Sequence, residues 1–102
     1  MLDETFHLEF WFEDESPWLE EGEELDASAC VRDRLDDNLN LYQDANAIGI
    51  FNMDGDLVGY PPDEVSEKIR AARRGGKGVY LEVASSYDES LYQPPLIRLT
   101  SS

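Results

Sequence analysis

The segment Phe6-His7-Leu8-Glu9-Phe10-Trp11-Phe12 alternates strictly, with Phe6, Leu8, Phe10 and Phe12 on one side and His7, Glu9 and Trp11 on the other. A period of two predicts a strand over about 4–12 with one strongly apolar face. Residues 13–24 are acidic and contain Pro17, Trp18 and Gly22. They read as a loop, with room for one helical turn, from which Trp18 and Leu19 fold back onto the body. A second alternation sets Leu25, Ala27, Ala29, Val31 and Leu35 against Asp26, Ser28, Cys30, Arg32 and Arg34. It predicts a strand over about 25–34 whose outer face is polar, with Asp33 interrupting the inner row. Residues 36–40, Asp-Asp-Asn-Leu-Asn, are a turn-rich connection.

Further along, a polar turn around 42–46 leads into two short apolar runs, 47–52 and 57–60, which flank Met53-Asp54-Gly55-Asp56. Asp-Gly between apolar runs predicts a hairpin, because glycine reaches positive φ at no steric cost. Residues 63–74 form the one good helix: Pro61 and Pro62 precede it, Asp63, Glu64 and Glu67 lie near its start, and Arg70, Arg73 and Arg74 lie near its end. That charge order complements the helix dipole. Val65, Ile69 and Ala72 make a narrow apolar stripe, and Gly75-Gly76 stops the helix. Val79-Tyr-Leu-Glu-Val-Ala-Ser85 alternates again, 85–93 is a polar loop, and Leu96–Thr100 is a last short strand behind Pro94-Pro95. The order β-β-β-β-α-β-β predicts a mainly β (α+β) fold. It is a small open β-barrel or curled sheet of five to six strands with one short helix at about 63–74.

The chain of 102 residues has the length of one domain, 1–102. Its charge is lopsided. Residues 1–31 hold 11 acids and no Lys or Arg, whereas the rest holds 12 acids and 8 bases, for a net charge of −15. Five of the bases, Lys68, Arg70, Arg73, Arg74 and Lys77, fall within ten residues. Such a balance argues against a broad phosphate-tracking surface, though not against a small end-binding pocket. Much of the acidity serves as a solvated surface. Cys30 is the only cysteine, so an internal disulfide is excluded, as is a zinc site built on several cysteines. The N-terminus lacks a basic region followed by an apolar run, and no stretch approaches the ~20 apolar residues of a membrane span. A cytoplasmic protein without membrane association is the expectation.

Little in the chain points to catalysis. His7 is the only histidine, and no nucleophile, base and orienting group recur at a useful spacing. Asn52-Met-Asp-Gly-Asp56 has the acids of a calcium loop, but its glycine is misplaced and the closing Glu is absent, so it reads as a hairpin turn. Gly75-Gly-Lys-Gly78 lacks the frame of a phosphate-binding loop. No enzyme activity, cofactor or metal is expected. The basic end of the helix serves either dipole complementation and ion pairing or phosphate contact.

The run Tyr42-Gln-Asp-Ala-Asn-Ala-Ile48, then Asp54-Gly55, then Leu57-Val-Gly-Tyr-Pro61 before a helix resembles the HIRAN domain. Its pattern is D-x-N-A-[IV], a D-G hairpin and L-G-[YH]-[LVI]-P. The likeness is firm over about 42–70 and looser elsewhere. It implies a β-barrel related in shape to OB-folds and a non-enzymatic module that binds single-stranded DNA at a free 3′-OH end, in DNA repair or replication. By that resemblance Asp44 accepts a hydrogen bond from the terminal hydroxyl, Asn46 fixes the turn, and Tyr60 and Tyr42 line the pocket. Trp11, or else Phe12, is the first-strand aromatic, and Trp11 is the expected exposed stacker because it lies opposite the Phe face. Arg70, Arg73 and Arg74 are candidate phosphate contacts. The chain departs from the family at Gln43, where an aromatic or His is frequent, and at Pro62 and Asp63, where DNA-binding members place a Lys. It also has no Arg before Arg32. Stacking on aromatics needs few basic residues. The alternative function is an acidic protein–protein interaction module on the same scaffold, docking a basic partner or mimicking DNA. A third reading attributes the acidity to a salt-rich environment.

Overall fold

The computed structural model describes residues 1–11 and 19–102. Six strands alternate with one helix: β1 Asp3–His7, β2 Glu24–Leu35, β3 Leu41–Phe51, β4 Leu57–Gly59, α1 Asp63–Arg74, β5 Val79–Ser85 and β6 Leu96–Ser101. All pairings are antiparallel, in the order β1-β6-β5-β2-β3-β4. The sheet is not closed. Past its two edge strands, however, Glu9 and Tyr60 exchange both backbone hydrogen bonds, 2.7 and 3.0 Å, so the chain after β1 touches the chain after β4. This is the small curled sheet with a single helix that the alternation predicts.

Alternation decides which side chains go inside. Leu81 faces Leu99, and Ile97 lies between Val83 and Phe6. These residues join Leu8, Leu19, Leu25, Ala27, Ile48, Ile50 and Val58 in one apolar cluster. Helix α1 lays Val65 and Ile69 on the same cluster. Its end is a full Schellman closure: Gly76 N–H donates to the Arg73 carbonyl and Lys77 N–H to the Ala72 carbonyl, with Gly76 at φ 75°. Asn52–Asp56 is the expected hairpin turn. The Asn52 side-chain oxygen accepts from the N–H groups of Asp54 and Asp56, which leaves both carboxylates outside.

Three expectations are corrected. First, β1 stops at His7 instead of reaching residue 12. Phe10 adopts φ 46°, a region that an aromatic side chain rarely enters. The alternation fails there: Phe10 turns out to solvent at 71% exposure, while Trp11 packs against the apolar cluster. Phe12 and Trp18 lie outside the described residues. Second, the inner row of β2 does not run through Ala29, Val31 and Leu35, which are exposed. The buried positions switch from Leu25 and Ala27 to Arg32 and, in part, Arg34. Third, 41–46 is not a free turn but the first half of β3. Both shifts centre on one register break, where Val31 of β2 faces two residues of β3, Ala45 and Asn46. A bulge of this kind re-aims the side chains around it.

Candidate functional site

Past the bulge, β2 and β3 pair Arg32 with Asp44 and Arg34 with Tyr42, so these four residues share one face. Asp44 Oδ1 accepts the Asn46 N–H at 2.9 Å, and Oδ2 accepts Arg34 Nε at 2.9 Å. The Asn46 N–H does most to hold the Asp44 carboxyl below the usual range, with Arg34 and Arg70 assisting and desolvation opposing. Arg34 also reaches forward to Asp63 at 3.0 Å, linking the strand pair to the start of α1. Arg70 donates to the Asn46 carbonyl and pairs with Glu67 at 2.5 Å. The Asp44-Ala-Asn46 step is therefore a bulge stitched by its own side chain and by two arginines.

Arg32 is the unusual member. It is only 7% exposed. Its guanidinium carbon lies over two rings, 4.9 Å from the centroid of Phe10 and 4.4 Å from that of Tyr60. Among the described residues no carboxylate pairs with it, in a chain that carries 23 acids. Its fellow cations are mostly engaged: Lys68 with Glu4, Arg98 with Asp3, and Arg73 with the Ala27 carbonyl. Burial pushes the Tyr60 hydroxyl above its ordinary pKa, with Arg32 opposing. The half-buried Cys30 thiol is raised by burial and lowered by the same guanidinium.

The expected site residues thus divide. Tyr42, Asp44, Asn46 and Tyr60 gather around Arg32 and Arg34, and Arg70 braces the same step from the helix. Trp11 does not join them as an exposed stacker. Its ring lies 5.8 Å from that of Tyr87, and its indole N–H is buried without a hydrogen-bond partner among the described residues. Phe10 takes the exposed position. Arg73 ties the helix to β2, and the exposed Arg74 sits at the far end of α1, about 16 Å along the axis from Asp63. Neither is brought to the Arg32 face. The sequence signal for Arg32 and Arg34 was present, two arginines two apart on a strand, but the alternation set by Leu25 and Ala27 assigned them to the polar outer face.

No group of three or more His, Cys, Asp or Glu among the described residues is arranged to hold a metal ion. No helix among them is long and apolar enough to cross a membrane. Compared with protein-family models, curated proteins and solved structures, the chain shows no match.

Proposed function

We propose that this chain is a non-enzymatic, HIRAN-type module that captures the free 3′-OH end of single-stranded DNA on the face formed by Phe10, Arg32, Tyr42, Asp44 and Tyr60. The observation that carries the reading is Arg32, a buried guanidinium with no carboxylate partner among the described residues of a strongly acidic chain. A desolvated cation of this kind is suited to an incoming phosphate, because the charge-assisted bond replaces no existing ion pair. Phe10, exposed and held at a strained φ, offers the ring on which an unpaired base stacks. Asp44 spends one lone pair of each oxygen on Asn46 and Arg34 and keeps a second for a terminal hydroxyl. A role in DNA repair or replication follows from a preference for ends.

The test is fluorescence anisotropy of a short labelled single strand with a free 3′-OH, beside its 3′-phosphorylated twin, at low salt. Preferential binding of the free end, lost on Asp44→Ala, is the expected result. Equal binding of both strands, or of neither, overturns the proposal.

A further inference from the structure

A second surface, away from the Arg32 face, has the opposite charge. β2 and β5 pair at only two positions, Glu24 with Glu82 and Leu25 with Leu81. Where the strands separate, an open groove of about 840 Å³ runs to the β3–β4 turn. Phe51, Met53 and Tyr80 supply its apolar walls, and Glu24, Asp26 and Glu82 its charge. Tyr80 and Met53 are 62% and 68% exposed, so the walls are open to a ligand. No lysine or arginine lines the groove.

Glu24 and Glu82 stand directly opposite each other across the strand pair. Like charges in that position work against the sheet. Arg98 reaches Glu82 only at 3.9 Å and bonds Asp3 more closely, at 3.2 Å. Glu24 and Asp26 are two apart on β2, about 7 Å along the strand, which is the side-chain repeat of an extended peptide. Exposed aromatic faces flanking carboxylates also favour a cation that is stacked and paired at once.

We infer that this groove docks an extended basic segment of a partner protein, with Arg or Lys at alternate positions directed to Glu24, Asp26 and Glu82 and its apolar stems covered by Tyr80 and Phe51. The inference uses nothing of the Arg32 face and stands or falls separately from DNA-end capture.

The probe is a short fluorescein-labelled peptide of alternating Arg and Ala, titrated against the full chain at low salt. Glu24→Gln with Glu82→Gln weakens binding by at least about tenfold. The same loss of charge at Glu64 and Glu89 changes it by less than about twofold. Tyr80→Ala, which leaves every charge in place, also weakens it several-fold. Arg32→Met leaves peptide binding unchanged. Removing the Glu24–Glu82 repulsion holds or raises the melting temperature, which excludes unfolding as the cause. Equal losses from the two glutamine pairs mean attraction to net charge alone and overturn the inference, as does failure of the peptide to bind.

Discussion

The guanidinium carbon of Arg32 lies 4.4 Å from the ring centroid of Tyr60, with both residues less than a tenth exposed. Contacts of this kind contribute ~0.5–2 kcal/mol, more as the cation is desolvated. A buried charge without a counter-charge nevertheless costs stability that an apolar side chain of similar size does not. Arg32→Met is therefore expected to hold or raise the melting temperature while lowering affinity for a single-stranded end by at least about tenfold. Thermal melting and anisotropy on the same preparation check both halves. A variant that melts much earlier shows that Arg32 is structural.

Asp44 makes stability depend on acid. Its carboxyl is held below the usual range when folded, so its contribution is present above the unfolded carboxyl pKa, near about 3.9, and is lost as pH falls through the folded value. Asp36 and Asp88 are lowered by hydrogen bonds from their own turns and act in the same direction. Asp44→Asn keeps an acceptor for the Asn46 N–H but gives up the charge. It is expected to lose less stability between pH 5 and pH 3, roughly the carboxylate range, than the parent chain does. Chemical denaturation across that range measures the difference, and parallel curves overturn the assignment.

Cys30, two residues before Arg32 on β2, reports on the same face. Burial raises its thiol above the ordinary value, and the Arg32 charge lowers it in part. Because the thiolate is the nucleophile, alkylation by iodoacetamide is expected to be slow near neutral pH, with an apparent pKa above the ~8.5 of a free thiol. Arg32→Met should push that apparent pKa higher still. The pH–rate profile followed by mass spectrometry reads it out, and an unchanged or lower value contradicts the placement of the guanidinium.

Where local chemistry dominates, the sequence was readable. The helix lies where two prolines, a polarised run of charges and a Gly-Gly pair put it, and the Asp54-Gly55 turn sits between the strands it was expected to join. The last two strands likewise follow their alternation. Two features escaped because their causes lie elsewhere in the fold. Phe10 and Trp11 exchange roles through one left-handed residue that the bridge of Glu9 to Tyr60 accompanies, and nothing within 6–12 announces it. The change of covered face along β2 comes from Phe10 and Tyr60 lying against Arg32, beside a bulge in another strand where Asp44 bonds the Asn46 N–H. Tyr42, Asp44 and Tyr60 were visible through their motif. Arg32 and Arg34 were visible only once β3 had been paired with β2.

That bulge decides which charges face each other. In the register that pairs Cys30 with Ala47, Asp44 would stand opposite Asp33; the extra residue of β3 sets it opposite Arg32 instead. Straightening β3 at its present length thus exchanges an attractive juxtaposition for a repulsive one without any change of amino-acid type. A slip of register there, with no substitution at all, turns the two guanidiniums from neighbours of the Asp44 carboxylate into groups that lack it.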